Sequence, residues 1–138
     1  MSREIIFRGK SEVTNEWVYG SLVKVGNESH IVGFDEVDLD GHHLSYCSDR
    51  PIFTKQGTIG QFTGLYDKNG TDIYEGDIVL QQGYHGNKHT MVVKFECGAF
   101  IVGYHKGSST KPTPMLLNSK CEVIGNIYDN PELIEQSL

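Results

Sequence analysis

Six histidines among 138 residues are the first groups whose spacing could do chemistry. His85 and His89 stand in H-x₃-H spacing, which suits two ligands of one zinc ion. Zinc takes four donors, so two more, such as Cys97 or His105, would have to join them. No C-x₂₋₄-C pair accompanies the histidines. Both fall in Gln81–Thr90, QQGYHGNKHT, a polar stretch that reads as a hairpin loop, and solvated loop histidines are the commoner outcome. His42 and His43 are adjacent, so on a strand they point to opposite faces and do not chelate one ion together. The expectation is no bound metal and no cofactor.

The carboxylates carry the next candidates. Asp67-Lys68-Asn69-Gly70-Thr71-Asp72 resembles the first half of a calcium loop, but its glycine comes at the fourth position and Ile78 stands where the twelfth-position glutamate belongs. A tight turn accounts for it better. Asp35, Glu36, Asp38 and Asp40 read as a solvated face. Glu75 and Asp77 are two apart and would share one face of a regular strand, as an acid–base pair needs, yet Gly76 between them favours a turn. In that turn the Asp77 carboxylate can accept backbone N–H groups. No G-x-S-x-G and no cysteine in a Cys/His setting occurs, and no G-x-x-x-x-G-K-[ST] phosphate loop. No catalytic residue is expected.

Nucleic acid is weighed against the charge. The chain has 12 basic and 18 acidic residues, a formal net charge of −6. That opposes wrapping a polyanion, which needs a dense Lys/Arg surface. Trp17, Tyr19, Phe62, Tyr66, Tyr84 and Tyr104 would stack on bases if exposed, but a strand protein also needs aromatics for its core. Lys88, Lys94, Lys106 and Lys111 are the nearest thing to a basic group.

These residues must be positioned by strands. Short apolar runs alternate with turn signals, and no long helical period appears. Ile5–Phe7, Glu16–Val25, Ser29–Phe34, Thr58–Thr63, Ile78–Leu80, Met91–Phe95, Ala99–Tyr104 and Cys121–Tyr128 read as strands. Gly9–Asn15, Gly26-Asn27, Asp67–Gly70 and Cys97-Gly98 read as connections, with Asn69-Gly70 suited to a tight reversal. Lys106–Pro114 is the most loop-like stretch, and Met115–Leu117 is a helical turn or an apolar anchor. Asn130-Pro131-Glu132 carries a helix-start signal, with Asn as cap. The fold expected is mostly β: short antiparallel strands in a small SH3-like or partly open barrel, an N-terminal β subdomain and one short C-terminal helical turn. It is one domain over 1–138, with possible subdomains 1–57 and 58–138. Three widely spaced cysteines, Cys47, Cys97 and Cys121, suggest no disulfide framework and a reducing compartment. No secretory signal is read at the N-terminus, and no apolar run reaches the ~20 residues of a membrane helix.

Three blocks, Glu4–Leu22 (EIIFRGKSEVTNEWVYGSL), Gly60–Val79 (GQFTGLYDKNGTDIYEGDIV) and Glu122–Leu133 (EVIGNIYDNPEL), carry a family resemblance. In this order they resemble the YopX family of small phage- and prophage-encoded proteins. The resemblance implies a mostly-β fold and a setting in bacterial cytoplasm. It implies no established activity and supplies no catalytic residues. The expectation is a non-enzymatic accessory protein that binds a protein partner or copies of itself. Its surface loops would do the binding, through Tyr84, His85, Lys88, His89 and Lys111. A nucleic-acid-associated module is the first alternative and a small metal-dependent hydrolase the second. No membrane partner is expected.

Overall fold

The computed structural model describes residues 4–33, 53–83, 86–104 and 115–135. Contacts group the chain into two compact units, Met1–Phe62 and Thr63–Leu138.

The first unit is an antiparallel meander. Strand β1 (Phe7–Lys10) pairs with β2 (Trp17–Val25), and β2 pairs with β3 (Glu28–Gly33) across the Gly26-Asn27 turn. The start of β4 (Gly60–Tyr66) lies on the other side of β1, with Phe7 opposite Gln61. Gly9, expected in a turn, lies inside β1 and is buried. The reason is Thr54. Ser11 and Thr54 form an isolated bridge, and the Glu12 N–H donates to the Phe53 carbonyl while the Lys55 N–H donates to the Lys10 carbonyl. This brings the Thr54 methyl over Gly9, where a Cβ would collide with it. Only glycine lets the two backbones approach this closely. Ile31, Thr54 and His30 are buried here.

In the second unit the rest of β4 pairs with β5 (Asp72–Tyr74), tied by Thr63 Oγ1 donating to the Ile73 carbonyl at 2.8 Å. A five-stranded antiparallel sheet follows, in the order β10-β6-β7-β8-β9. Its members are β6 (Asp77–Gln82), β7 (Lys88–Glu96), β8 (Ala99–Tyr104), β9 (Met115–Leu116) and β10 (Glu122–Asn126). Met115–Leu116 is therefore a strand and not a helical turn, and Leu117 beside it is anchored in the core. The middle of β7 is buried on both faces, which explains its unbroken Met91-Val92-Val93 run. Met91 and Val93 join Ile73, Val79, Val102, Leu117 and Cys121 in one cluster. Val92 packs on the other side with Ile78 and Ile134. Ile134 belongs to the one-turn helix α1 (Glu132–Glu135). Asn130 does not spend its side chain as the expected cap. Its Oδ1 accepts the Asn126 N–H at 3.3 Å.

The expectation of a mostly-β fold of short antiparallel strands holds, with a short C-terminal helix. The strands form two sheets and no closed barrel among the described residues. The outer strand β9 is only two residues long, too short to carry the sheet on toward β10.

Candidate functional site

The reversal that opens the second unit shows where the acidic side chains go. The Gly70 N–H donates to the Asp67 carbonyl at 3.0 Å, closing the Asn69-Gly70 turn as expected. The Asp67 carboxylate then accepts three backbone amides: Asn69 and Thr71 at Oδ1, 2.8 and 2.9 Å, and Val123 at Oδ2, 2.9 Å. Burial pushes this carboxyl up. The amides of Val123, Thr71 and Asn69, with the Lys68 charge, outweigh burial and hold it below its ordinary value. The oxygens a calcium ion would want are thus occupied by backbone. Asp77 behaves alike. It is buried, and its Oδ2 accepts the Tyr74 N–H at 2.8 Å across the Glu75-Gly76 turn. Gly76 has φ +88°, where a side chain is strained, so Glu75 and Asp77 do not lie along a regular strand as a pair.

The polar loop expected over 81–90 is shorter than its composition suggested. Gln82 pairs with Lys88 and Gln81 with His89, so both ends are strand. The connection is closed by the Gly83 N–H donating to the Asn87 carbonyl at 2.8 Å and by Gln82 Nε2 donating to the Gly86 carbonyl at 2.9 Å. Polar residues such as Gln81 hide this, because Gln81 is buried and braces the sheet. Its Nε2 donates to the Leu116 carbonyl and its Oε1 accepts the Asn118 N–H, each at 3.2 Å.

Of the five surface residues expected to bind, Lys88 and His89 lie in β7. Being adjacent, they point to opposite faces. Lys88 is exposed, and His89 is half-buried on the face that continues into Met91 and Val93. Tyr84, His85 and Lys111 lie outside the described residues, as do His42, His43, the Asp35–Asp40 run, Cys47, His105 and Lys106. Cys97 is exposed at the far end of β7, eight residues and about 26 Å along the strand from His89, so these two cannot share an ion. Among the described residues no three His, Cys, Asp or Glu side chains are placed to hold a metal. Lys88 and Lys94 fall on one face of β7, but Val92, packed under Ile134, lies between them. They do not form a continuous basic strip.

Phe62 is a core residue, whereas Tyr19 and Tyr66 are exposed. Trp17 lies beneath two cations, with the Arg8 guanidinium 4.3 Å and the Lys10 ammonium 4.7 Å from its ring centre. Lys10 stands directly opposite Trp17 in the ladder, which fixes this contact.

One surface feature escaped the sequence reading. Phe95 and Phe100 stand opposite each other next to the Cys97-Gly98 turn. Their rings meet edge to face at 5.0 Å, and Phe95 is 52% exposed. Two residues inward on the same face are Val93 and Val102, both in the core. The apolar stripe of the hairpin therefore runs past the core into solvent. The signal was present in the spacing Val93-x-Phe95 and Phe100-x-Val102, read only as strand alternation.

Among the described residues no helix is long and apolar enough to cross a membrane. No curated protein sequence matches the chain. The crystal structure of protein EF1440 from Enterococcus faecalis is similar in fold, with a TM-score of 0.57 and 23% identity, covering 96% of this chain and 99% of that one. A family model described as YopX protein matches residues 6–135. That span takes in nearly the whole chain and all but the first two residues of the three sequence blocks, and the chain belongs to the YopX family.

Proposed function

We propose that this chain is a non-enzymatic binding module, a phage or prophage accessory protein of the bacterial cytoplasm, that joins a protein partner or a second copy of itself through its β surface. The observation that carries this reading is the Phe95–Phe100 pair. A half-exposed Phe95 ring, backed edge to face by Phe100 at the end of a core stripe, is the kind of anchor that protein interfaces bury. Among the described residues, the carboxylates and the thiol singled out in the sequence are engaged in the fold. Asp67 and Asp77 hold backbone amides, and the Cys121 thiol is buried.

The test is sedimentation equilibrium over rising concentration, with capture from bacterial lysate, for the wild type and Phe95→Ser. The reading expects a mass rising above 15.4 kDa, or one enriched protein, in the wild type, and its loss in the variant. A wild type that stays at monomer mass and captures the same proteins as the variant would overturn it.

A nucleic-acid reading has one observation in its favour, the indole of Trp17 beside Arg8 and Lys10. Both cations are largely buried, 7% and 8% exposed, which suits holding the indole more than meeting phosphates. Trp17 is the single tryptophan, so its fluorescence reports directly. Salt-sensitive quenching by short single- or double-stranded oligonucleotides supports this reading, and no quenching at low salt removes it.

A further inference from the structure

His30 is 1% exposed and both of its ring nitrogens are engaged. The Thr54 backbone N–H points at Nδ1 from 3.1 Å. A backbone amide can only donate, so Nδ1 must offer its lone pair. The proton of the neutral ring is then on Nε2, which lies 3.0 Å from Glu28 Oε2 and donates to it. Phe53 caps the ring edge to face at 5.3 Å. The Ile31 N–H donates to Thr54 Oγ1 at 3.3 Å, a contact that does not involve the ring.

We propose that His30 is a pH-sensitive clasp, holding Phe53–Lys55 against β3 when its ring is neutral and releasing the Thr54 amide when Nδ1 takes up a proton. This goes beyond the binding reading and does not depend on it. An imidazolium donates from both nitrogens, so its Nδ1–H would face the Thr54 N–H, donor against donor. Glu28, on β3, gains from the charged ring and keeps its bond to Nε2. The opening is therefore local to Thr54.

Other charged groups nearby are turned elsewhere. On β1, the Arg8 guanidinium lies over Trp17, and Lys10 Nζ donates to the Asn15 carbonyl at 3.3 Å. On β2, Lys24 stands opposite Ser29, on the face away from the Val23–His30 pair. Beside Thr54, Lys55 Nζ donates to Asn15 Oδ1 at 2.6 Å. Among the described residues, the Glu28 carboxylate is the charged group set against the ring.

The test is nuclear magnetic resonance of the full chain between about pH 7.5 and about pH 5, the range in which imidazoles titrate. Two quantities are followed: the His30 ring-nitrogen shifts and the hydrogen-exchange protection of the Thr54 amide, corrected for intrinsic exchange. The clasp expects the Nε2–H tautomer at the upper pH and a loss of about tenfold in Thr54 protection at the lower, the effect of one hydrogen bond. His30→Asn, whose Oδ1 can replace the Nδ1 lone pair without titrating, should keep its protection at both values. The Gly76 amide, bonded to the Val93 carbonyl, is the internal reference and decides the matter if the variant fails to fold. Loss at Thr54 with Gly76 unchanged supports the clasp. The Nδ1–H tautomer, equal losses in wild type and His30→Asn, or parallel behaviour of Thr54 and Gly76 would each overturn it.

Discussion

Asp67 and Val123, 56 positions apart, are joined by a single hydrogen bond in which the Val123 amide donates to Asp67 Oδ2 at 2.9 Å. The other oxygen of the same carboxylate closes the 67–71 turn. One side chain therefore fixes a local reversal and docks β10 onto it. Asp67→Ala strands three amides at a buried or half-buried site and is expected to cost about 3 kcal/mol. Asp67→Asn keeps an acceptor for Asn69 and Thr71 but presents an N–H₂ or a poorer oxygen to Val123, for about half that loss. Urea unfolding followed by circular dichroism checks the order wild type, Asn, Ala. Equal stability of all three would show that the carboxylate is not a brace.

The same carboxylate contributes to the fall in stability at acid pH. Its pKa is depressed from an ordinary 3.8 in the folded state. Its contribution is present above that value and lost as pH falls through the lower folded value, because the unfolded chain takes up the proton first. Stability measured from about pH 5 downward should fall less steeply in Asp67→Asn than in the wild type. An unchanged slope would mean that other carboxyls set the acid limb.

Cys121 contributes on the alkaline side. Burial, helped by the charges of Asp67 and Asp77, pushes its thiol from 9.0 up to about 11. A raised value means stability that is full below 9.0 and declines as pH rises toward 11, where only the unfolded chain ionises readily. In a Cys47→Ser background, Cys97 should react with a thiol reagent at once and Cys121 only on unfolding, since Cys97 is exposed and Cys121 is not. Equal rates for the two thiols contradict the burial of Cys121.

The hairpin beside Phe95 offers a stabilising change. Cys97 has φ +52° and Gly98 φ +79°, the two positive values of a type I′ turn. A cysteine pays for the left-handed conformation, and Asn tolerates it better. Cys97→Asn is expected to stabilise the second unit by roughly 0.5–1 kcal/mol, read as a rise in unfolding midpoint. A lower midpoint would mean that the thiol makes a contact worth more than the strain.

Most strands were legible because their apolar residues alternate between clear turn signals. Asn69-Gly70, Gly76-Asp77 and Cys97-Gly98 mark the reversals where they occur. Three features were not legible, for physical reasons. Gln81 and His89 are polar residues on a buried face, so composition made a loop of strand. Gly9 has no local turn role and is explained by Thr54, a contact 45 positions away that no local pattern encodes. The proposed surface is the hardest case, because exposed apolar area leaves no spacing rule as metal or nucleophile chemistry does. Lys88 and His89 are neighbours in a stretch whose composition predicts a loop, and strand geometry sends them to opposite faces. Phe95 alternates with Val93 as any strand residue would, and only its exposure separates the two.

Gly9 and Thr54 give the sharpest test of the first unit. A Cβ at Gly9 would collide with Thr54 Cγ2 and sit 3.1 Å from Ile59 Cγ1. Gly9→Ala should therefore destabilise by about 2 kcal/mol through overpacking, although alanine usually suits a strand better than glycine. Thr54→Ser removes the clashing methyl and keeps the hydroxyl that accepts the Ile31 N–H. Alone it should cost about 1 kcal/mol for the lost methyl. Combined with Gly9→Ala it should restore about 1 kcal/mol relative to the sum of the two single changes, since the new Cβ occupies the space the methyl leaves. Unfolding of the four proteins, followed by Trp17 fluorescence, gives the coupling directly. A coupling near zero would mean that Thr54 moves aside freely and that Gly9 is not required by the close approach of the two backbones.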